Sequence, residues 1–451
     1  MENRSFIPLS YNALYYLYDC NNKEIYPCSK QEYDKYVDII KRNCSAECFS
    51  INDKEFLEGN DRGEYSFPEV SEKHVLASLS TVSHITLEIT ENCNMQCVYC
   101  CYGSLYKDER SHRIANKTEI LNRLKTLLLL RKEINNFADL RISFYGGEPL
   151  LCFDIIKACV ELSRNILPNV NLSFGMTTNG LLLKNHIAYL TANRFSIMIS
   201  LDGNRRNNEY RVLKDGSESF DRVVESIDYV YCNYPIYFKE NVRFSCVLHN
   251  KNHLLETLDF FSKWDKTPLF SLVTSSNAQN RDAFFTALTE RKKYTKEELS
   301  VLSSKYPEAY NSYHLNKSLI VSKWQSDCDE MCLHPMVETK KYPGKSCFLF
   351  ANKVFVTLDG AFYPCEKISR KYKFGIIENG KFLISQKQIN DYYGKIQKNF
   401  EGKCKMCYKR FSCSVCFFAE DEEVEKGDCF CSSMKALEEI NKLIGIGNET
   451  H

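Results

Sequence analysis

No stretch of the 451-residue chain approaches the roughly 18 consecutive apolar residues that a membrane helix needs; Leu127–Leu130 is a short patch inside a helical pattern. The opening residues, Met1–Ser10, lack the apolar stretch of a secretory signal. An excess of one charge is missing too. The 59 Lys and Arg stand against 58 Asp and Glu, which argues against duplex DNA or an anionic membrane surface as a partner. No internal repeat or low-complexity segment is present. What remains is a chain 44% apolar and 26% charged, ordinary for a globular protein with a large core. It is expected in the cytoplasm, with two or three domains at this length.

The chain does have 22 cysteines. In a reducing compartment such a set points to metal or redox ligands before disulfides. The distribution is uneven: Cys93, Cys97 and Cys100 fall within eight residues, and six cysteines fall between Cys404 and Cys431. The dispersed ones, such as Cys20, Cys44, Cys159 and Cys246, have the ordinary explanation of small buried or surface thiols.

From about residue 84, short β-branched or aromatic runs alternate with amphipathic stretches. Strands are expected at His84–Thr90, Leu140–Tyr145, Asn171–Thr177, Ser196–Leu201, Val242–Leu248 and Leu269–Val273, with helices at Thr118–Glu133, Phe153–Ile166, Lys184–Ala192, Phe220–Tyr231 and His253–Lys263. This alternation predicts right-handed βαβ units and a parallel sheet. Six strands are too few for the eightfold barrel, so an open, partial (β/α)6 TIM-like barrel is expected, with its active site at the carboxyl ends of the strands. Residues 1–80 read as a small α+β domain: a hairpin from Ala13–Tyr18 and Glu24–Tyr26, then a helix near Gln31–Lys41. Residues 81–325 make the barrel, and 326–451 a Cys-rich C-terminal domain with a hairpin-like segment, Val354–Tyr363, around Asp359-Gly360.

Cys93-Asn-Met-Gln-Cys97-Val-Tyr99-Cys100 is a C-x3-C-x2-C run directly after the first barrel strand. Three thiolates on one loop can each bind one iron of a cubane and leave the fourth iron open for a substrate or cofactor. Zinc, the alternative, wants a fourth ligand nearby, such as Cys101, His84 or His112. The C-x3-C-x-Tyr-C pattern resembles the signature of the radical SAM superfamily. Further motifs match at successive strand ends. Gly146-Gly147-Glu148-Pro149 resembles the family's GGEP motif, which contacts the methionyl amino group of S-adenosylmethionine (SAM). Glycines permit close backbone approach, and the Glu148 carboxylate can accept from an ammonium. Thr178-Asn179 ends strand three; Ser200-Leu201-Asp202 ends strand four and resembles the ribose-contacting position. Arg211 matches an arginine able to pair with the methionyl carboxylate, although Asn208-Glu209 stands where the family has His-Asp.

The tail resembles the SPASM extension of radical SAM peptide maturases, which carries two auxiliary [4Fe–4S] clusters. On its own, Cys404-x2-Cys407-x5-Cys413-x2-Cys416 would also suit a zinc knuckle, and the whole chain a zinc-ribbon binding module. The resemblance implies a first auxiliary cluster on Cys347, Cys365 and Cys416, and a second on Cys404, Cys407, Cys413 and either Cys431 or Cys429, with Cys431 preferred because the helix-like Ser432–Leu443 follows it. In the family a fully ligated first cluster has a cysteine about six residues before Cys347, where Lys341 stands; Cys328 or Cys332 further upstream is the alternative ligand, and without it the iron would be open. The resemblance therefore implies a maturase of a ribosomally made, Cys-containing precursor peptide. SAM would be cleaved reductively at the Cys93/Cys97/Cys100 [4Fe–4S] cluster, with electrons from a flavodoxin- or ferredoxin-type donor. A thioether crosslink of the sactipeptide or ranthipeptide kind is the expected product, with formylglycine formation of the sulfatase-maturase kind or another peptide crosslink, carbon–carbon included, as the alternatives.

Overall fold

The computed structural model describes residues 6–11, 14–19, 24–44, 70–106, 113, 116–134, 136, 138–273, 279, 282–289, 295–306, 350, 352–366, 368 and 370–399. Two compact units divide the chain: one takes residues 1–70, 313–348 and 390–451, the other 71–312 and 349–389.

In the first unit, β1 (Phe6–Tyr11), β2 (Leu14–Asp19) and β3 (Glu24–Cys28) form an antiparallel sheet in the order β1-β2-β3, followed by α1 (Lys30–Cys44). The expected hairpin is β2–β3, and β1 is a strand that the sequence pattern did not reveal. Ser29 and Glu32 cap α1 reciprocally: the Glu32 N–H donates to Ser29 Oγ at 3.2 Å, and the Ser29 N–H to the Glu32 carboxylate at 2.9 Å.

The second unit is built on β4 (His84–Thr90), which α2 (Glu72–Thr81) precedes. The strand reads His-Ile-Thr-Leu-Glu-Ile-Thr; its β-branched residues suit a pleated sheet, and six of its seven positions are buried, as a strand covered on both faces requires. Then follow α3 (Lys117–Glu133), β5 (Leu140–Gly146), a 3-10 turn at Pro149–Cys152, α4 (Phe153–Ile166), β6 (Leu172–Thr178), α5 (Leu183–Ala192), β7 (Ser196–Ser200), α6 (Phe220–Asn233), α7 (Pro235–Asn241), β8 (Val242–Leu248), α8 (Leu254–Ser262) and β9 (Leu269–Leu272). On α3 the residues Ile120, Leu124, Leu127 and Leu128 recur at helical spacing and are buried, while Leu121 beside them is half-buried. After β9 come α9 (Ala283–Thr289), α10 (Lys296–Lys305), β10 (Lys353–Val356), β11 (Ala361–Tyr363), β12 (Gly375–Glu378), β13 (Lys381–Ile384) and α11 (Gln386–Asn399), which runs across the limit between the units.

Strands β4 to β9 lie in sequence order and pair in parallel, as the βαβ alternation predicts. The sheet is larger than that alternation shows. β10 pairs in parallel with the outer edge of β4, Lys353 opposite His84 and Val356 opposite Leu87, and β11, β12 and β13 continue it antiparallel to ten strands. Residues 353–384, assigned from the sequence to the C-terminal region, thus supply four strands of the barrel's own sheet. Edge coverage gives a physical reason: an open β4 edge would present unpaired backbone groups. Glu88 fastens the junction. Its buried carboxylate accepts from Arg370 Nη2 at 3.2 Å and from the Leu358 N–H at 3.3 Å. Among the described residues, no helix is long and apolar enough to cross a membrane.

Candidate SAM and iron–sulfur site

The loop 91–106 leaves the carboxyl end of β4 and carries the three cysteines. Its course is set by the backbone. The Cys100 N–H donates to Cys97 O at 3.1 Å, Gln96 N–H to Val212 O and Val98 N–H to Tyr210 O, both at 2.9 Å, and Met95 bridges Leu213. The loop is therefore paired with the segment 210–213, which brings Arg211 to it. Cys93, Cys97 and Cys100 are half-buried thiols. Crowding around the Cys97 sulfur pushes its pKa up to about 12 by desolvation, against the facing Arg211. A bound metal cation reverses that cost by taking the thiolate.

Gly146 and Gly147 explain how β5 closes against this loop. A Cβ on Gly147 would lie 1.9 Å from Asn92 O, and one on Gly146 2.0 Å from Thr90 O. Their absence lets the Gly147 N–H donate to Thr90 O at 2.8 Å and the Glu148 N–H to Asn92 O at 2.9 Å. The close approach here is to the cysteine loop's own backbone. Glu148 is fully buried, and its carboxylate accepts from Thr178 Oγ1 and the Asn179 N–H, each at 2.7 Å, and from the Leu150 N–H at 3.0 Å. Burial raises its pKa, and these donors pull it back. Glu148 thus staples the end of β6 to the turn opened by the buried Pro149, and a carboxylate with about four acceptor positions keeps one for another donor. Asn179 then reaches the loop: its side-chain amide donates to Asn94 Oδ1 at 2.7 Å and to Cys93 Sγ at 3.7 Å.

On the other side Tyr99 joins Asp202 to Arg211. Its hydroxyl donates to the Asp202 carboxylate and accepts from Arg211 Nη1 at 3.0 Å, all three side chains being buried. Burial holds the phenol well above its ordinary pKa. Burial also works against the Arg211 charge, but the facing Tyr99, Cys97 and Asp202 hold its pKa up. Asp202 additionally accepts from the Val247 N–H at 3.0 Å. Ser200 ends β7, opposite Ser245 of β8. Sequence reasoning missed Asn94, and it missed His249, whose buried Nε2 is 3.7 Å from Asp202 and has no hydrogen-bond partner among the described residues. Asn94 lies inside the cysteine motif but carries no signal of its own, whereas His249 is brought here only by the fold.

One of the alternative zinc partners, His84, lies away from the loop. His84 starts β4 while the cysteines follow its far end, roughly 20 Å along a seven-residue strand; it hydrogen-bonds Ser143 Oγ at 2.7 Å instead. His112 lies outside the described residues. Among the described residues no group of three or more His, Cys, Asp or Glu could hold a single metal ion. A cubane asks for something else, one thiolate on each of three irons, and the donor set of three thiols on one backbone-locked loop fits it. Of the auxiliary ligand set only Cys365 is described, half-buried just after β11; Cys347, Cys404, Cys407, Cys413, Cys416 and Cys431 lie outside the described residues.

A parallel partial barrel with a three-cysteine loop and a carboxylate–amide–arginine rim at its strand ends defines an iron–sulfur, nucleoside-binding class of protein. Residues 87–261 match the model of the Radical SAM superfamily, so this segment is a radical SAM domain, of the kind that binds a [4Fe–4S] cluster and SAM. Among curated relatives, the radical SAM cyclopropyl synthase TigE of Paramaledivibacter caminithermalis is 25% identical over 224 residues, 47% of this chain and 44% of that one. A cysteine-type anaerobic sulfatase-maturating enzyme of Clostridium novyi is 24% identical over 388 residues, 80% of this chain and 96% of that one. The chain spans only 58% and 44% of the length of two of the relatives it matches. The structure of anSMEcpe with bound AdoMet and a peptide shares the fold, with TM-score 0.50 at 20% identity over 82% of this chain and 99% of that one.

Proposed function

We propose that the chain is a radical SAM peptide maturase that acts on a ribosomally made, Cys-containing precursor peptide and forms a thioether crosslink. The observation that carries the reading is the closed set at the strand ends: Cys93, Cys97 and Cys100 would hold the cluster, with Glu148, Asn179, Asp202 and Arg211 around them. When bound, the cluster and SAM would supply a 5′-deoxyadenosyl radical by one-electron cleavage. The chain's own work is placement. The Gly146–Gly147 turn and the Glu148 staple hold the loop against β5 and β6, Asn179 donates to the Cys93 sulfur, and the Tyr99 hydroxyl holds Arg211 beside the loop by a hydrogen bond.

A peptide as substrate is supported by the match to the sulfatase-maturating enzyme, which extends over most of both chains. The small antiparallel sheet adds a capture surface. Among the described residues its outer strands β1 and β3 each have a strand on one side only, an arrangement to which a leader peptide can add as a further strand. The thioether reading rests on Lys341, where a fully ligated first auxiliary cluster would have cysteine; an open iron there would accept a substrate thiolate. The same relative favours a second reading, formylglycine formation, which needs no open iron.

The test is anaerobic incubation of the reconstituted chain with SAM, a reductant and a Cys-containing peptide, followed by mass spectrometry. Loss of two hydrogens with disappearance of the free thiol supports the thioether; loss of the Cys sulfur itself selects formylglycine. Iron and sulfide analysis goes with it: about twelve irons per chain, falling to about eight on Cys93→Ala/Cys97→Ala/Cys100→Ala, is the expected outcome for three cubanes. Zinc with almost no iron would overturn the reading.

A further inference from the structure

Below the motif residues the inner face of the barrel sheet encloses a cavity of about 450 Å³. Its upper lining includes Tyr145 and Thr177, each one residue before a motif residue, Gly146 and Thr178; its lower lining comes from the amino-terminal halves of the strands and from β10. The cavity is therefore continuous in sequence with the candidate SAM site but runs away from it. Its charged lining is Arg141, Arg243 and Lys353 against Glu240 and Glu366. Lys353 is matched, with Nζ 2.6 Å from Glu366. Arg141 and Arg243 are not: both are exposed to the cavity's solvent, and among the described residues neither has a carboxylate at ion-pair distance. Glu240 is exposed on the helix end that precedes β8.

Space is reserved for one of these arginines. A Cβ on Gly175 of β6 would lie 2.7 Å from an Arg141 guanidinium nitrogen, so the Arg141 side chain lies across the inner face toward β6. The field is positive. His84, on the same wall, is pushed down to about 4, by burial first and then by Lys353 and Arg141, with Glu366 opposing. Guanidinium groups that among the described residues have no carboxylate partner, in a concave site, attract a planar anion that can accept two parallel hydrogen bonds.

We propose that Arg141 and Arg243 form a carboxylate-binding subsite in the lower half of the barrel lumen, which receives an acidic side chain of the peptide being modified. This rests on the peptide-maturase reading above and narrows it to substrates with an Asp or Glu near the modified residue.

The experiment uses the full reconstituted chain and two synthetic Cys-containing peptides that differ only in Asp against Asn, with binding measured by fluorescence anisotropy. Tighter binding of the Asp peptide by about tenfold, lost in Arg141→Gln/Arg243→Gln and only partly retained in Arg141→Lys/Arg243→Lys, which keep the charge without the planar fork, is the expected result. Equal binding of the two peptides to the wild type, or no binding of either, overturns the proposal. Glutarate serves as the free-anion probe. If it binds the wild type and not the Gln variant while the peptides bind equally, the subsite takes a small free carboxylate, and the peptide assignment falls. Formation of 5′-deoxyadenosine from SAM by the wild type, supplied with dithionite as one-electron reductant and with the peptides, reports on the underlying reading. Its absence sinks that reading, whereas its presence with equal peptide binding sinks only the subsite.

Discussion

The side-chain amide of Asn179, at the end of β6, donates to the Sγ of Cys93, on the loop after β4, at 3.7 Å. Two strands apart in chain order, these residues meet because β5 between them ends in glycines and lets both strand ends converge. An N–H donor to a ligand sulfur stabilises the electron-richer, reduced state of a cluster. Asn179→Ala is therefore expected to move the reduction potential of the cluster that Cys93, Cys97 and Cys100 would hold to more negative values. Redox titration followed by electron paramagnetic resonance checks this, and an unchanged potential would show that the contact does not act on the cluster.

Gly147 is where the loop has least room. With Asn92 O at 1.9 Å and Cys93 N at 2.9 Å from an added Cβ, Gly147→Ala must push the cysteine loop off β5. A cost of about 3 kcal/mol is expected, seen as a lower urea midpoint together with reduced iron per chain after reconstitution. Retention of both would mean that the loop can move aside.

His84 gives a pH dependence whose sign follows from its environment. Burial, Lys353 and Arg141 place its folded pKa at about 4, below the ordinary 6.5. As pH falls below 6.5 the unfolded chain takes up this proton first, so stability present above that value is lost progressively toward pH 4. The ring is partly open to solvent, and the expected loss is about 2 kcal/mol. Urea unfolding at pH 7.5 and pH 5 for the wild type and His84→Gln is the measurement; the variant should show a smaller difference.

Glu88 and Arg370 test the attachment of β10–β13. Arg370→Ala leaves the Glu88 carboxylate buried without its cation and should cost about 3 kcal/mol. Adding Glu88→Gln should recover much of that loss. A double-mutant cycle in thermal unfolding gives the coupling, and strict additivity would show that the pair does not hold the junction.

Much of the barrel was legible because its signals are local. His84–Thr90 is a β-branched run, Val242–Leu248 alternates apolar with polar residues over its first four positions, apolar residues of α3 recur at helical spacing, and the structure has these elements with limits moved by a residue or so. The helices α2 and α7 were missed because they are short and carry weak patterns. The same locality made the candidate site recognisable: three cysteines close in sequence, then a glycine pair with a glutamate, then an asparagine, each just after a strand.

What the sequence by itself determined is the order of strands and helices and the placing of cysteines, Gly146–Gly147, Glu148, Asn179 and Asp202 at strand ends, since chain spacing alone brings such residues to one end of a parallel sheet. Only the tertiary structure decided what each one touches. The glycines face the cysteine loop's own backbone, Glu148 staples β6, Tyr99 links Asp202 to Arg211, and β10 joins β4 from more than 260 residues away. The reason is that hydrogen bonds, close approach and edge pairing depend on which groups converge once the sheet is formed, and these groups lie far apart in the chain, where no periodicity records them.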